Sequence, residues 1–119
     1  NLKKIIKIVH PEIRKKMNIF LKKNKNTKIV ILDIPLLMEN KINRKKDILI
    51  FVDAKKKEIN KRLKKRLNIK PKIMEKFKKF QLPVELKKKK SDFIIKNNFK
   101  NNSIKKDVKK VLEKILSND

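Results

Sequence analysis

Apolar residues recur every three or four positions at both ends of the chain, and this spacing predicts amphipathic helices. At the C-terminal end, the stretch from Ile104 to Leu116 follows a period of about 3.6 residues. At the N-terminal end, residues 2–9 show the same spacing. Pro11 suits the first turn of a helix, so we expect a second helix from there to about Lys23.

The central region alternates short apolar runs with helical patterns. Continuous apolar runs at 29–32, 48–52 and 93–95 suit strands buried on both faces of a parallel sheet. Helices are predicted between the second and third runs: one around Ile59 and Leu63, one from Pro71 and one from Pro83. This alternation predicts an α/β fold, with a mostly parallel sheet flanked by helices in one domain. Ligands of such sheets gather at the C-terminal strand ends, where Asp33 stands.

The composition excludes several classes of site. The chain has no cysteine and a single histidine, His10, which excludes disulfides, thiolate metal sites and histidine-rich metal clusters. No apolar run approaches the roughly 18 residues of a membrane span. We therefore expect a soluble cytoplasmic protein.

The formal net charge of +26 has two interpretations. A basic RNA-associated or ribosomal-type protein would carry such a charge. Alternatively, the lysine, asparagine and isoleucine content reflects A/T-rich codons. Only four of the 38 basic residues are arginines, and no tyrosine or tryptophan is present to stack on bases. We therefore favour compositional bias and expect no specific nucleic-acid partner.

Glycine is absent from all 119 residues. Tight phosphate-binding turns need glycine, because backbone N–H groups must approach the anion closely. These residues therefore contain no glycine-rich phosphate loop.

Several segments together resemble the dephospho-coenzyme A kinase family, in the family's order. The most specific is Asp33-Ile34-Pro35-Leu36-Leu37-Met38-Glu39, which is similar to the family's Asp-x-Pro-Leu-Leu-x-Glu segment. The others are His10-Pro11 before a helix, Phe51-Val52-Asp53-Ala54 followed by Arg62 and Arg66, Gln81 to Lys87, and Ser91-Asp92-Phe93-Ile94-Ile95-Lys96-Asn97. The resemblance covers nearly the whole chain.

The resemblance implies a P-loop kinase that phosphorylates the ribose 3′-hydroxyl of dephospho-coenzyme A with ATP and Mg²⁺, the last step of coenzyme A synthesis. It implies a partial P-loop NTPase three-layer fold in which the central first strand is missing. In that fold the strand at 93–95 would lie beside the strand at 48–52, on the side away from the gap. Residues 1–119 would be the C-terminal part of a single domain, with a lid at about 55–90. The general base and the main ATP and metal ligands would lie in the missing N-terminal part.

Arg62 and Arg66 lie four residues apart and share one helix face. Such a pair could close over a triphosphate as forked donors, and Arg66 is assigned to ATP as well as to catalysis. Asp33 is either a turn residue that caps the next helix or a polar group near Mg²⁺ or the acceptor.

The remaining candidates follow from the resemblance. The residues assigned to the acceptor are His10, Pro35, Leu36, Leu37, Glu39, Gln81 and Lys87. Four of them have a structural alternative: a cap or packing role for His10, core packing for Leu36 and Leu37, and one lysine among many for Lys87. Asn97 is assigned to the adenine of ATP, where its amide could read the base edge, although it could be only a turn residue.

The chain also departs from the family pattern. Phe77 stands where an arginine is common, and the family's glycine after the asparagine is replaced near Asn98-Phe99. A related nucleotide kinase with another acceptor is a further alternative, against which the segment from Gln81 to Asn97 argues.

Overall fold

The structure is a computed structural model that describes residues 2–67 and 70–117. The elements are α1 (Leu2–Lys23), β1 (Ile50–Asp53), α2 (Lys56–Leu67), α3 (Pro71–Phe80), α4 (Val84–Lys90), β2 (Phe93–Lys96) and α5 (Asn101–Ser117). The chain divides into two compact units, Asn1–Arg44 and Lys45–Asp119. Each unit is described by itself below.

Helix α1 of the first unit runs without interruption through Pro11, so the prediction of two separate helices was wrong. A proline inside a helix removes one backbone hydrogen bond and costs about 3 kcal/mol or more. The less exposed side chains explain why the helix nevertheless continues, because they recur every three or four residues on both sides of the proline: Ile6, His10, Ile13, Met17 and Leu21. A single helix keeps these side chains on one buried face.

The strand predicted at residues 29–32 is not formed, since none of the residues described between α1 and β1 belongs to a strand. The side chains of Ile29 and Ile31 are 36% and 83% exposed, rather than buried on both faces. A strand is stabilised by the hydrogen bonds of a neighbouring strand. The apolar run alone does not supply them.

The second unit contains a two-stranded parallel sheet, in which β1 pairs with β2 from Ile50 opposite Phe93 to Asp53 opposite Lys96. The predicted pairing of the second and third apolar runs is therefore confirmed, with β1 two residues later than expected at its start. Asp92 fixes the register at one end: its Oδ2 accepts a hydrogen bond from Leu49 N (2.7 Å), and its N donates to Leu49 O (2.8 Å).

Parallel strands need a long crossover connection, and α2, α3 and α4 provide it. Pro71 occupies the first position of α3, and Pro83 is the N-cap of α4, so both predicted helix starts are confirmed. The predicted C-terminal helix is confirmed as α5, which packs against β2. The chain is thus α/β, with a small parallel sheet flanked by helices.

Candidate functional site

The segment from Asp33 to Glu39, which carries the most specific family resemblance, leads into a turn that two backbone hydrogen bonds hold together. Lys41 N donates to Met38 O (3.1 Å) and Ile42 N donates to Leu37 O (2.9 Å). Lys41 has a φ of 52°, so these bonds form the Schellman arrangement that ends many helices, with lysine where glycine is usual. Ile42 is only 1% exposed and anchors the turn.

Arg14 ties helix α1 to this turn. Its Nη2 donates to the carbonyl oxygens of Asn40 (3.1 Å) and Lys41 (3.0 Å). These are carbonyls at the end of the helical turn, which commonly lack intrahelical partners. The sequence analysis did not assign a role to Arg14. The available signal was the scarcity of arginine together with its position one helical turn after His10.

The first unit also has a groove of about 340 Å³ between helix α1 and the segment that precedes the turn. Ile13, Met17 and Phe20 line it from the helix, and Asp33 and Pro35 line it from the opposite side. The structure therefore brings Asp33 and Pro35, two of the predicted site residues, to the same apolar groove, where the Asp33 side chain is exposed.

The other predicted residues of this unit lie in the turn or on α1. Leu36, Leu37 and Glu39 are half-buried within the turn, and Leu36 has a φ of 54°. His10 lies inside α1 rather than at a helix start, and its buried Nε2 has no hydrogen-bond partner. Buried polar atoms are normally hydrogen-bonded, so this nitrogen retains an unused hydrogen-bonding capacity.

The second unit has a larger cavity, of about 620 Å³, at the C-terminal ends of β1 and β2. This is the position at which parallel sheets collect ligands. Its lining combines acidic, amide, aromatic and lysine side chains: Asp53, Glu58, Asn97, Asn98, Phe99, Lys55, Lys96 and Lys100. Such a mixture can accept both an anionic group and a planar polar ring.

Asn97 is predicted to contact adenine, and it is one of the residues that line this cavity. Its Oδ1 accepts a hydrogen bond from Phe99 N (2.9 Å), and its backbone N donates to Asp53 O (2.7 Å). The bond from Phe99 N uses one of the two lone pairs of the oxygen, while Nδ2 can donate two hydrogens to a ligand. Asn97 can therefore recognise an acceptor nitrogen of a ring.

Among the lysines of α4, Lys88 rather than the predicted Lys87 reaches the cavity lining. The Lys88 Nζ lies 3.0 Å from Asp53 Oδ2, and the two side chains are 27% and 29% exposed. Lys87 is half-buried on the same helix, and its carbonyl accepts a bond from Ser91 Oγ (2.7 Å). The run of consecutive lysines gave no signal that distinguished Lys88, because only the helix orientation selects it.

Arg62 is not among the residues that line the cavity, but its Cζ lies 3.7 Å from the ring centroid of Phe99, which is one of them. Arg62 therefore lies beside the lining, at the rim of the cavity. Arg66 is exposed one turn further along α2, and Gln81 is exposed as the C-cap of α3. Neither they nor Lys87 are among the residues that line the cavity. The roles of all the predicted site residues, those that line the cavity included, stay predictions.

Within residues 2–67 and 70–117, no group of three or more acidic or histidine side chains is arranged to hold a metal ion. No helix in these ranges combines the length and the apolar character that crossing a membrane requires.

Comparison with known proteins supports the resemblance inferred from the motifs. The family model described as dephospho-CoA kinase matches residues 1–105. A dephospho-CoA kinase from Wolbachia sp. subsp. Brugia malayi is 34% identical over 97 residues, which cover 80% of this chain and 49% of that protein. The corresponding protein of Fusobacterium nucleatum is 36% identical over 100 residues, which cover 82% and 50%.

A dephospho-CoA kinase from Bartonella quintana is 30% identical over 119 residues, which cover 98% of this chain and 61% of that protein. The chain spans about half the length of the first two relatives. No solved structure matches it significantly. With a family model that matches nearly nine-tenths of its residues, this chain belongs to the dephospho-CoA kinase family.

Proposed function

We propose that this chain forms the acceptor segment and the lid of a kinase that transfers the γ-phosphate of ATP to the ribose 3′-hydroxyl of dephospho-CoA. The observation that carries the proposal is the family match over residues 1–105. The proposed fold is part of a P-loop NTPase three-layer arrangement, in which β1 and β2 belong to a larger parallel sheet. Residues 1–119 then belong to a single domain, with the lid at about 55–90.

The cavity of the second unit is the proposed nucleotide side of this enzyme. Asn97 Nδ2 donates to a ring nitrogen of adenine, while Oδ1 accepts from the Phe99 backbone. Arg62, at the cavity rim, presents forked donors to the phosphates, and Arg66 follows on the same helix face. Lys55 and Lys100 add positive charge to the cavity wall. Phosphoryl transfer depends mainly on this kind of positioning and charge stabilisation.

The first unit is the proposed acceptor side. Asp33 and Pro35 line a mainly apolar groove whose other charged residue is Lys16, which suits an uncharged part of the acceptor next to polar groups. Leu36, Leu37 and Glu39 form the adjoining turn. His10 contributes its buried Nε2. For Gln81 and Lys87, the role toward dephospho-CoA is the one that the resemblance implies.

Mg²⁺ fits this proposal through the chemistry of Asp33. Magnesium in kinase sites is bound by one or two carboxylates together with waters and substrate phosphates. The exposed carboxylate of Asp33 is a ligand of this type, so it would hold the ion on the acceptor side. When bound, the ion neutralises charge on the phosphate oxygens.

A chimeric enzyme tests the proposal. The matching half of the Fusobacterium nucleatum relative is replaced by this chain, and phosphorylation of dephospho-CoA is measured with ATP and Mg²⁺. We expect turnover in the chimera and a loss of at least tenfold when Arg62 and Arg66 are both changed to lysine. The double variant keeps both positive charges and removes only the planar guanidinium groups, whose paired N–H donors match a phosphate.

Circular dichroism establishes that each chimera is folded. A folded chimera that phosphorylates another nucleotide but not dephospho-CoA would contradict the proposed acceptor. Equal turnover in the double lysine variant would contradict the proposed role of the arginines.

A further inference from the structure

Phe99 occupies a backbone conformation that aromatic residues rarely adopt. Its φ is 61°, in the left-handed region that glycine enters without steric cost. Two side chains hold this turn: Asn97 Oδ1 accepts from Phe99 N (2.9 Å) and Asn98 Oδ1 accepts from Lys100 N (3.0 Å). The turn leads directly into α5. These two hydrogen bonds therefore hold the backbone from which the Phe99 ring projects.

The ring of Phe99 has two neighbours, the cavity and the Arg62 side chain. It lines the cavity at the C-terminal ends of the strands, and the Arg62 Cζ lies 3.7 Å from its centroid. That distance is well inside the range of about 6 Å over which a cation is attracted to an aromatic face. Since β1 and β2 are parallel neighbours, the helix after β1 and the turn after β2 leave the sheet at the same edge. This topology brings Arg62 to Phe99.

The contact with Phe99 is compatible with anion binding by Arg62. A guanidinium group is planar, and its five N–H donors lie in the plane of the group. The distance of 3.7 Å from the Arg62 Cζ to the ring centroid fits a contact through the face of the guanidinium. Such a contact leaves the N–H bonds at the edges of the group for an anion.

We propose that Phe99 is a positioning residue that holds the Arg62 guanidinium in orientation to bind the phosphate chain of a ligand in this cavity. The proposal rests on the proposed function only in identifying that phosphate chain as part of a nucleotide. Its physical basis is preorganisation, because a long arginine side chain otherwise loses conformational freedom when the ligand binds.

The test uses variants of the 119-residue chain that all keep its formal net charge of +26. Phe99→Leu removes the aromatic face, Phe99→Tyr retains it, and Arg62→Lys keeps the charge without the planar fork. Phe77→Leu is the matched control, since Phe77 is a phenylalanine that is 46% exposed on another helix. The constant charge keeps the non-specific attraction of the lysines equal across the series.

Calorimetry measures the affinity of each variant for inorganic tripolyphosphate and for ATP. We expect Phe99→Leu to weaken the binding of both by about two- to fivefold, the size of an exposed cation–π contact. Phe99→Tyr and Phe77→Leu should bind like the parent chain. The double variant Phe99→Leu/Arg62→Lys should be no weaker than Arg62→Lys alone, because both changes disable the same fork.

Several outcomes overturn the proposal: parent-like binding by Phe99→Leu, an equal loss in Phe77→Leu, independent multiplication of the two losses, or no measurable binding of tripolyphosphate. Circular dichroism checks that each variant is folded. In the variants that keep Arg62, a nuclear magnetic resonance measurement of its side chain, shifted by the ring current, checks that the contact is lost only in Phe99→Leu. If tripolyphosphate binding depends on Phe99 but the chimera does not phosphorylate dephospho-CoA, the positioning role stands and the proposed function falls.

Discussion

At the scale of single residues, the absence of glycine shapes both predicted sites. Among the described residues, positive φ angles fall on Leu36, Lys41 and Phe99. A left-handed conformation costs a residue with a Cβ about 1–2 kcal/mol. The surrounding contacts must offset this cost, and the structure shows them: the Schellman bonds around Lys41 and the asparagine side chains around Phe99. The segments with the clearest family resemblance are therefore backbone-constrained.

Arg14 should be one of the residues that stabilise the turn at residues 36–42. We expect Arg14→Ala to destabilise the chain by about 1 kcal/mol, because an exposed charge-assisted hydrogen bond contributes less than a buried one. The change removes the donor to Asn40 O and Lys41 O. Amide hydrogen exchange in the turn should become faster in this variant.

Lys15→Ala is the control for Arg14→Ala, because it removes a neighbouring exposed cation on the same helix. Equal exchange rates at residues 40–42 in the two variants would show that the observed bonds do not hold the turn.

At the scale of helices and strands, a face that packs along the whole length of a helix can outweigh the effect of a single proline. The proline rule predicted a helix boundary at Pro11, yet α1 passes through it because its buried face extends on both sides. The same rule succeeded at Pro71, which occupies the first position of α3. A proline at this position lacks only an N–H that would have no intrahelical partner.

Replacement of Pro11 by alanine tests the continuity of α1. Alanine restores the missing backbone N–H and removes the ring from the helix interior, so Pro11→Ala should raise the free energy of unfolding by about 1–3 kcal/mol. Urea denaturation followed by circular dichroism measures this change. Pro71→Ala is the matched control, since a proline at the first helical position costs little.

A gain in Pro11→Ala no larger than that in Pro71→Ala would mean that α1 is two helices, as the sequence spacing alone predicts.

At the scale of the whole molecule, the chain combines a high net positive charge with few fully buried apolar side chains. Within the described ranges, the buried apolar side chains are Met17, Ile42 and Ile95. The sheet has two strands and therefore two unpaired edges, which can pair with other chains. The net charge of +26 opposes such association through repulsion between molecules. Added salt screens this repulsion, so high salt should favour association.

The 119 residues should not catalyse phosphoryl transfer by themselves. They contain no glycine and hence no glycine-rich loop to hold the β- and γ-phosphates. A coupled assay of the chain with ATP, Mg²⁺ and dephospho-CoA should give no turnover above the background of a heat-denatured sample. Turnover near that of an intact relative would refute this prediction.

Binding to nucleic acid should be non-specific and sensitive to salt. The positive charge is carried mostly by lysine, and neither tyrosine nor tryptophan is present. Exposed charges are screened beyond about 8 Å at physiological ionic strength. Titration of an RNA and its scrambled version should give equal affinities that fall together as salt rises. A preference for one RNA that survives physiological salt would instead favour an RNA-binding role.

The sequence by itself determined the features that depend on near neighbours. Helical periodicity located α5, and the proline positions located the starts of α3 and α4. The ordered motifs indicated the family, and through it the pairing of the second and third apolar runs, because motif order is a property of the linear chain. Asn97 was correctly expected to follow a strand at its C-terminal end, and it lines the cavity there.

Only the tertiary structure decided which distant groups meet. It left residues 29–32 without a strand, because a ladder needs a partner that the apolar run cannot specify. It chose Lys88 among consecutive lysines as the partner of Asp53, and it placed Arg62 on the ring of Phe99. Such contacts depend on how helices and strands are oriented after folding. Periodicity along the chain carries no information about that orientation, since residues that meet in space are far apart in sequence.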